Sequence, residues 1–348
     1  MLLTPGPTAV PPDVREAMSR EMPNPDVDPA FAELYDDVTG KLAAVYGTDD
    51  DVVVLGGEGI LGLEAAVASV VSPGDDVLCI ANGLYGEGFA DFVESYDGEP
   101  TVVGSDWTEP YDLSAIEAAL DDGEFAAATM VHCETPTGVL NDLGPVLDLL
   151  ADHDVLSIVD AVSSLGGTPV PTGSIDVALG ASQKCFSAPP GLTTVSVSDA
   201  AWAAIEERDP RTLYTNLLPW RDLDGEFPYT HLVNNVAALD AALDRLLDEG
   251  LESVYARHEA VAEHCRQRGR ELGLEPYPDD ARSAPTVTAF HVPGRASALQ
   301  RRLAADHDVV LAASYGDVAD DVLRVGHMGY GAQTEWVDRA MDALAAAL

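Results

Sequence analysis

The sequence predicts an α/β fold: a mostly parallel central sheet with flanking helices, plus a smaller C-terminal α+β domain. Short apolar runs alternate with helical patterns through most of the chain, the order expected of strands joined by crossover helices. The runs are continuously apolar rather than alternating in polarity, as strands buried on both faces require. A glycine-rich turn also lies between the first run and the first helix after it, where an open α/β sheet places a ligand.

Asp51–Leu55 reads as a strand ending in Gly56-Gly57, and Leu63–Val71 as a helix closed by Pro73-Gly74-Asp75. Val77–Ala81 is the next strand, Phe89–Tyr96 a helix and Thr101–Val103 a strand. Leu113–Leu120 is helical, Ala126–Val131 extended, and Val146–Asp152 helical again. Leu156–Val159 is a strand ending at Asp160, and Val177–Gly180 and Thr193–Val197 supply two more. Helical patterns then cover Val233–Leu247 and Ser253–Leu272, Thr286–Phe290 and Leu323–Val325 read as strands, and a last helix runs from Glu335 to Leu344 or on to Leu348. The expected division is a large domain over 16–249 and a small one over 250–348, with 1–15 an N-terminal segment packing near the active site.

With 348 residues, 47% of them hydrophobic, the chain can fill a full core and is not a disordered one. No apolar run reaches the ~18 residues of a membrane helix. Met1–Pro7 carries no basic stretch, so no signal peptide is expected there. The four cysteines, Cys79, Cys133, Cys185 and Cys265, form no C-x-x-C pair, which argues against a zinc ribbon or a disulfide framework.

The charge is lopsided: 60 acidic against 18 basic residues, a net −42. The acids run through every segment, so this is not an acidic tail. Nucleic acid and anionic membranes would be repelled. The expected setting is the cytoplasm of a halophile, where molar salt shortens self-repulsion to a range of ~3 Å. Only two lysines remain, Lys41 and Lys184, and no arginine occurs between Arg20 and Arg208. Lys41, after Gly40, reads as an exposed helix position. Lys184, in Ser182-Gln183-Lys184-Cys185, is a primary amine able to form a Schiff base, which a guanidinium is not; the bland alternative is one tolerated lysine.

Gly57-Glu58-Gly59-Ile60-Leu61-Gly62 fits G-x-G-x-x-G between a strand and a helix, the setting for phosphate binding by backbone N–H groups. A dinucleotide site would need a carboxylate at the end of the next strand, and that strand ends in Ala81-Asn82-Gly83. A single phosphate therefore fits better than NAD; a glycine turn that merely packs a helix on the sheet is the alternative. Asp160 ends a buried strand, where a carboxylate could keep a pyridinium protonated or simply cap a helix. His132 and Cys133 are adjacent on a strand and so point to opposite faces, which argues against a nucleophile pair or a metal site. Thr135 and Thr137 are the hydroxyl candidates there. Tyr85 could stack on a planar cofactor or be an ordinary half-buried tyrosine. Arg324 is a lone cation in an apolar strand, suited to bidentate capture of a carboxylate or to an internal salt bridge.

In order, Thr4-Pro5-Gly6-Pro7, Glu58-Gly59-Ile60, Ala81-Asn82-Gly83, His132–Val139, Val159–Gly167, Ser182–Gly191 and Leu323–Gly329 resemble the motifs of the class V aminotransferases, closest to their alanine–glyoxylate and serine–pyruvate branch. The resemblance spans nearly the whole chain. It implies a fold type I enzyme dependent on pyridoxal 5′-phosphate (PLP), built as a homodimer with shared active sites. It implies that Lys184 carries the cofactor covalently and then acts as base and acid, and that Asp160 pairs with the pyridine nitrogen under a stacked Tyr85. Gly59 and Ile60 would bind the phosphate through N–H groups beside Glu58, and Gln183 through its side chain. Thr135 would touch the ring or its hydroxyl, Thr230 the phosphate of the neighbouring subunit's cofactor, and Arg324 and Gly6 the substrate. No metal is implied.

Two positions depart from the family pattern. Glu58-Gly59-Ile60 stands where Ser-Gly-His or a Thr is common, so the Glu58 side chain should point away from a phosphate or serve another role. Phe227 lacks the hydroxyl of a common tyrosine, a donor lost unless Tyr229 replaces it. Amine, acid and guanidinium are what transamination needs. The expected reaction is ping-pong transfer from a small amino acid, alanine or serine, to glyoxylate or pyruvate. The rivals are a lyase or cysteine desulfurase, an NAD-dependent oxidoreductase on the glycine turn, and a catalytically silent binding protein.

Overall fold

The structure, a computed structural model, describes residues 1–223 and 225–348. The chain opens with the helices α1 (Pro12–Ala17) and α2 (Pro29–Tyr46). It then alternates β1 (Asp51–Gly56), α3 (Gly59–Val70), β2 (Asp76–Ala81), α4 (Leu84–Ser95), β3 (Glu99–Gly104), α5 (Leu113–Asp122) and β4 (Ala127–Val131). A small hairpin, β5 (Cys133–Glu134) and β6 (Val139–Leu140), precedes α6 (Gly144–Asp152), β7 (Leu156–Asp160), β8 (Val177–Ala181), β9 (Leu192–Val197) and α7 (Asp199–Arg208). The long helices α8 (Val233–Glu249) and α9 (Leu251–Glu271) lead to β10 (Thr288–His291), α10 (Ala296–His307), β11 (Ala312–Ala313), β12 (Val322–Val325) and α11 (Thr334–Ala347).

The large sheet has the order β1-β9-β8-β7-β4-β2-β3. Every strand but β9 runs the same way, since β9 pairs antiparallel with both β1 and β8 while the remaining pairs are parallel. The expected mostly parallel sheet is what the chain forms. Its central strands β4, β7, β8 and β9 are almost wholly buried, which explains their mainly apolar composition, with small hydroxyl residues such as Thr129, Ser157, Thr193 and Thr194 buried among them. Gly62 lets α3 lie close on this sheet: a Cβ there would sit 2.4 Å from Thr193 Oγ1.

A second, antiparallel sheet has the order β10-β12-β11. The two largest apolar cores among the described residues follow from the two sheets. The larger holds Val54, Leu78, Ile80, Met130, Ile158 and Val195; the smaller holds Phe290, Leu303, Leu323, Val337 and Met341, together with Leu3 from the N-terminal segment. Leu3 is held there by backbone bonds to Val310 and Gly326, and a Cβ on Gly326 would collide with the backbone of Thr4 and Pro5 at 2.2 Å.

Lys41 is not the exposed position the sequence suggests. It lies half-buried on α2, with Nζ 2.5 Å from Asp240 and 2.6 Å from Asp244 on α8. In so acidic a chain two facing aspartates need a cation between them. No helix among the described residues is long and apolar enough to cross a membrane.

Candidate active site

The carboxyl ends of β1, β2, β4, β7 and β8 lie on one edge of the sheet, and the residues just past them converge. This is the general ligand edge of an open α/β sheet. Past β8, Gln183 and Lys184 line a cavity of about 240 Å³ together with Gly6, Glu58, Gly59, Ile60, Tyr85, Asp160 and Ser163. A second cavity, of about 370 Å³, shares Gly6, Pro7, Tyr85 and Lys184 with it and adds Gln300, Tyr315 and Arg324. Lys184 and Tyr85 thus stand at the junction of two chambers, with Asp160 in one and Arg324 in the other.

Lys184 Nζ donates to the Pro5 carbonyl at 2.7 Å. Burial presses its pKa below the usual lysine range; the nearby Asp160 opposes that shift and Arg324 adds to it. Gly6 makes room for the lysine: it sits at φ +105°, and a Cβ there would lie 2.5–2.8 Å from Cδ, Cε and Nζ of Lys184. Thr8 continues this strap, its N–H bonding the Gln183 carbonyl and its hydroxyl the Lys184 carbonyl.

Asp160, at the end of β7, is 6% exposed. Burial pushes its pKa up to about 6, against the pull of the Val162 N–H and of Lys184. Its Oδ1 accepts from Val162 N–H at 2.8 Å, so it does cap the following turn, and among the described residues no protein donor binds Oδ2. The two sequence readings of Asp160 are compatible.

Tyr85 sits in the first turn of α4, half-buried, its pKa raised to about 12 by burial and then by Asp160. The helix's N-cap is Gly83, with no side chain to bond. Glu134 takes that place: its oxygens accept from Gly86 N–H at 2.7 Å and Tyr85 N–H at 3.3 Å. A Cβ on Gly83 would lie 2.4 Å from Glu134 Cδ. Glu134 is fully buried, and burial raises its pKa to about 7. Sequence reasoning passed over Glu134; the visible signal was a glutamate at a strand end beside a glycine-capped helix.

Arg324 is 2% exposed and, among the described residues, pairs with no carboxylate. Its Nε and Nη2 donate to the Ala313 carbonyl, Nη1 reaches the Thr135 carbonyl at 3.5 Å, and the guanidinium lies 4.6 Å from the Tyr315 ring centre. The internal salt bridge is therefore not formed.

Other sequence candidates are more distant. Thr135 lines neither cavity but is hydrogen-bonded to Ser163, which does; Ser163 was not singled out from the sequence. Thr137 uses its hydroxyl on the Glu134 carbonyl at 3.3 Å. Thr230 is exposed and donates to Asp26 at 3.0 Å. Phe227 packs among Phe31 and Tyr35, with ring centres 4.8 and 5.0 Å away, and Tyr229 OH accepts from Gly56 N–H at 2.8 Å. His132 is buried, its pKa pressed down to about 4 by desolvation, with Nδ1 on Ser164. All four cysteines are buried, and burial raises the thiols of Cys133, Cys185 and Cys265 to about 12, so a desulfurase-type thiolate has no candidate. Among the described residues no His, Cys, Asp or Glu cluster could hold a metal.

The family model described as Aminotransferase class-V matches residues 1–322. The chain belongs to the class V aminotransferases. It is 35% identical to the pyridoxamine–pyruvate transaminase of Mesorhizobium japonicum, over 99% of this chain and 91% of that one. It is 32% identical to the alanine–glyoxylate aminotransferase of Oryctolagus cuniculus, over 100% and 92%. The crystal structure of an alanine–glyoxylate aminotransferase from Nostoc sp. superposes with a TM-score of 0.95 at 29% identity, covering 99% of this chain and 94% of that one. The fold is accordingly fold type I, and this class V aminotransferase is a PLP-dependent transaminase of small amino acids.

The first chamber fits PLP at its ring end. An amine of lowered pKa, a buried carboxylate with one oxygen unbonded by protein, and a tyrosine face are what a pyridine aldehyde requires. The N–H groups of Gly59 and Ile60 open α3 beside it, a setting that favours an anion. Glu58 is the exception: it does not point away. Its Oε2 lies 3.3 Å from Gln183 Nε2, and both residues line the chamber.

Proposed function

We propose that the enzyme moves the amino group of a small L-amino acid, alanine or serine, to glyoxylate or pyruvate, in two half-reactions at one site. Arg324 carries this reading: a buried guanidinium that, among the described residues, meets only carbonyl oxygens and the Tyr315 ring, in a chamber that opens on Lys184. A substrate carboxylate is the charge it lacks. Among the described residues no second arginine lines either chamber, and neither Arg15, Arg20 nor Arg221 does so; an acidic side chain would have no arginine to meet it.

Bound in the first chamber, PLP supplies the electron sink through which nitrogen is passed. Asp160 would hold a proton on the ring nitrogen. Lys184 Nζ removes the proton from the substrate's α-carbon and returns it, a task for which an amine of lowered pKa is suited. Tyr85 would lie against the ring, and Ser163, hydrogen-bonded to Thr135, would face it. Gly59, Ile60, Glu58 and Gln183 surround the phosphate end. Gly6, by lacking a Cβ, leaves substrate and lysine room to meet. In a homodimer, Thr230 would leave Asp26 and reach the partner's phosphate end. We assign 16–249 to a large unit and 250–348 to a small one, with 1–15 strapped across the lysine. The charge of −42 fits a halophile's cytoplasm.

A visible spectrum tests the reading. Protein purified in high salt and loaded with PLP should show a cofactor band that bleaches with L-alanine and returns with glyoxylate, and the lysine-linked band should be missing in Lys184→Ala. A loaded protein whose band ignores every small amino acid would overturn it.

A further inference from the structure

Glu58 stands where this site should welcome a dianion. It is the N-cap residue of α3 yet makes no capping bond to the helix; its carboxylate is instead turned towards Gln183. That contact fixes the amide of Gln183. Turning the amide over would set its carbonyl against the carboxylate, so Nε2 faces Glu58. Among the described residues Oε1 is then left without a hydrogen-bond partner, in a side chain only 5% exposed. The residues lining the chamber include one cation, Lys184, against two carboxylates, Glu58 and Asp160. Lys184 serves the ring end, so among the described residues that line the chamber no other basic group offsets Glu58.

A phosphate monoester carries close to two charges at neutral pH and offers chiefly acceptors. Placed here it meets one carboxylate and one acceptor short of a donor, and only the helix N–H groups favour it. A hydroxymethyl group is neutral, and its O–H can donate to either oxygen. We infer that Glu58 is a specificity residue: it weakens the hold on the 5′-phosphate and fits the chamber to the unphosphorylated ring compounds, pyridoxal and pyridoxamine. The inference rests on the chamber being the cofactor site.

Equilibrium dialysis of the whole enzyme against PLP, pyridoxal and pyridoxamine, in one high-salt buffer, tests it by binding rather than turnover. Wild type should bind pyridoxal about as tightly as PLP. Glu58→Ser and the near-isosteric Glu58→Gln should each shift the ratio of the two dissociation constants towards the phosphate by about tenfold or more. Glu58 is exposed, so both variants should melt with wild type, and a melting curve checks this. A wild type that prefers PLP by orders of magnitude, with a ratio unmoved in both variants, overturns the role of Glu58 and leaves the transaminase reading standing. Binding of none of the three compounds to any variant overturns both.

Discussion

Arg324 shows what a single side chain can decide. Arginine is seldom buried without a carboxylate, and here its donors meet only carbonyl oxygens and a tyrosine ring. Arg324→Lys keeps the charge but loses the planar fork. Hydrogen bonds to charged groups are worth ~1.5–3 kcal/mol, so KM for the amino donor should rise about 10- to 100-fold while kcat changes little. Steady-state kinetics checks this, and an unchanged KM would place the substrate carboxylate elsewhere. At this scale the sequence was informative wherever composition made a residue rare. Lys184 stood out in a chain almost without lysine, and Arg324 as a cation inside an apolar strand. The direction of the Glu58 carboxylate was not legible, because it depends on Gln183, which is distant in sequence. Nor was the choice between Thr135 and Thr137, which a turn of the β5–β6 hairpin decides.

The link between Glu134 and α4 belongs to the scale of elements. A helix that begins at Gly83 has no side chain of its own to hold its first N–H groups, and a carboxylate from another strand does so. The raised pKa of Glu134, about 7 against an ordinary 4.5, means the folded state holds this proton more tightly than the unfolded state. Its contribution is therefore largest below about pH 4.5 and declines as pH rises to 7. Glu134→Gln has no such proton to lose. In thermal melts at fixed high salt, wild type relative to the variant should lose stability steadily across that window and then level off. A difference independent of pH would mean that Glu134 does not titrate there. The parallel strands and their helices were readable because continuous apolar runs and helical periods are long signals. The two-residue strands β5, β6 and β11 carry no period at all. On α2, Phe31, Tyr35, Val38, Leu42 and Val45 do form a helical stripe, with Gly40 within it. The start of α4 ran five residues earlier than its apolar pattern, since Glu134 rather than local sequence sets it.

For the whole molecule, net charge outweighs every single contact. At ~0.1 M salt the screening length is ~10 Å, and at 1 M it is ~3 Å, so repulsion among 60 acidic residues should fade over that interval. The melting midpoint should climb steeply with KCl up to molar concentrations; a flat response would mean that local ion pairs, such as Arg268 with Asp342, already balance the surface. Fold class and the reacting pair were legible from one chain because both reside in it. The place of Thr230 was not, since its expected partner lies on another subunit. The clamp on Lys41 has a practical side. With that amine gripped by Asp240 and Asp244, Lys184 is the one lysine left to an aldehyde, and borohydride would fix the adduct on a single peptide. Trypsin has no cleavage point between Lys41 and Lys184, so most of the parallel sheet leaves as one long fragment. Once Lys184 is blocked, that fragment runs on to Arg208, and the ratio of the longer fragment to the shorter would report how many molecules carry the label.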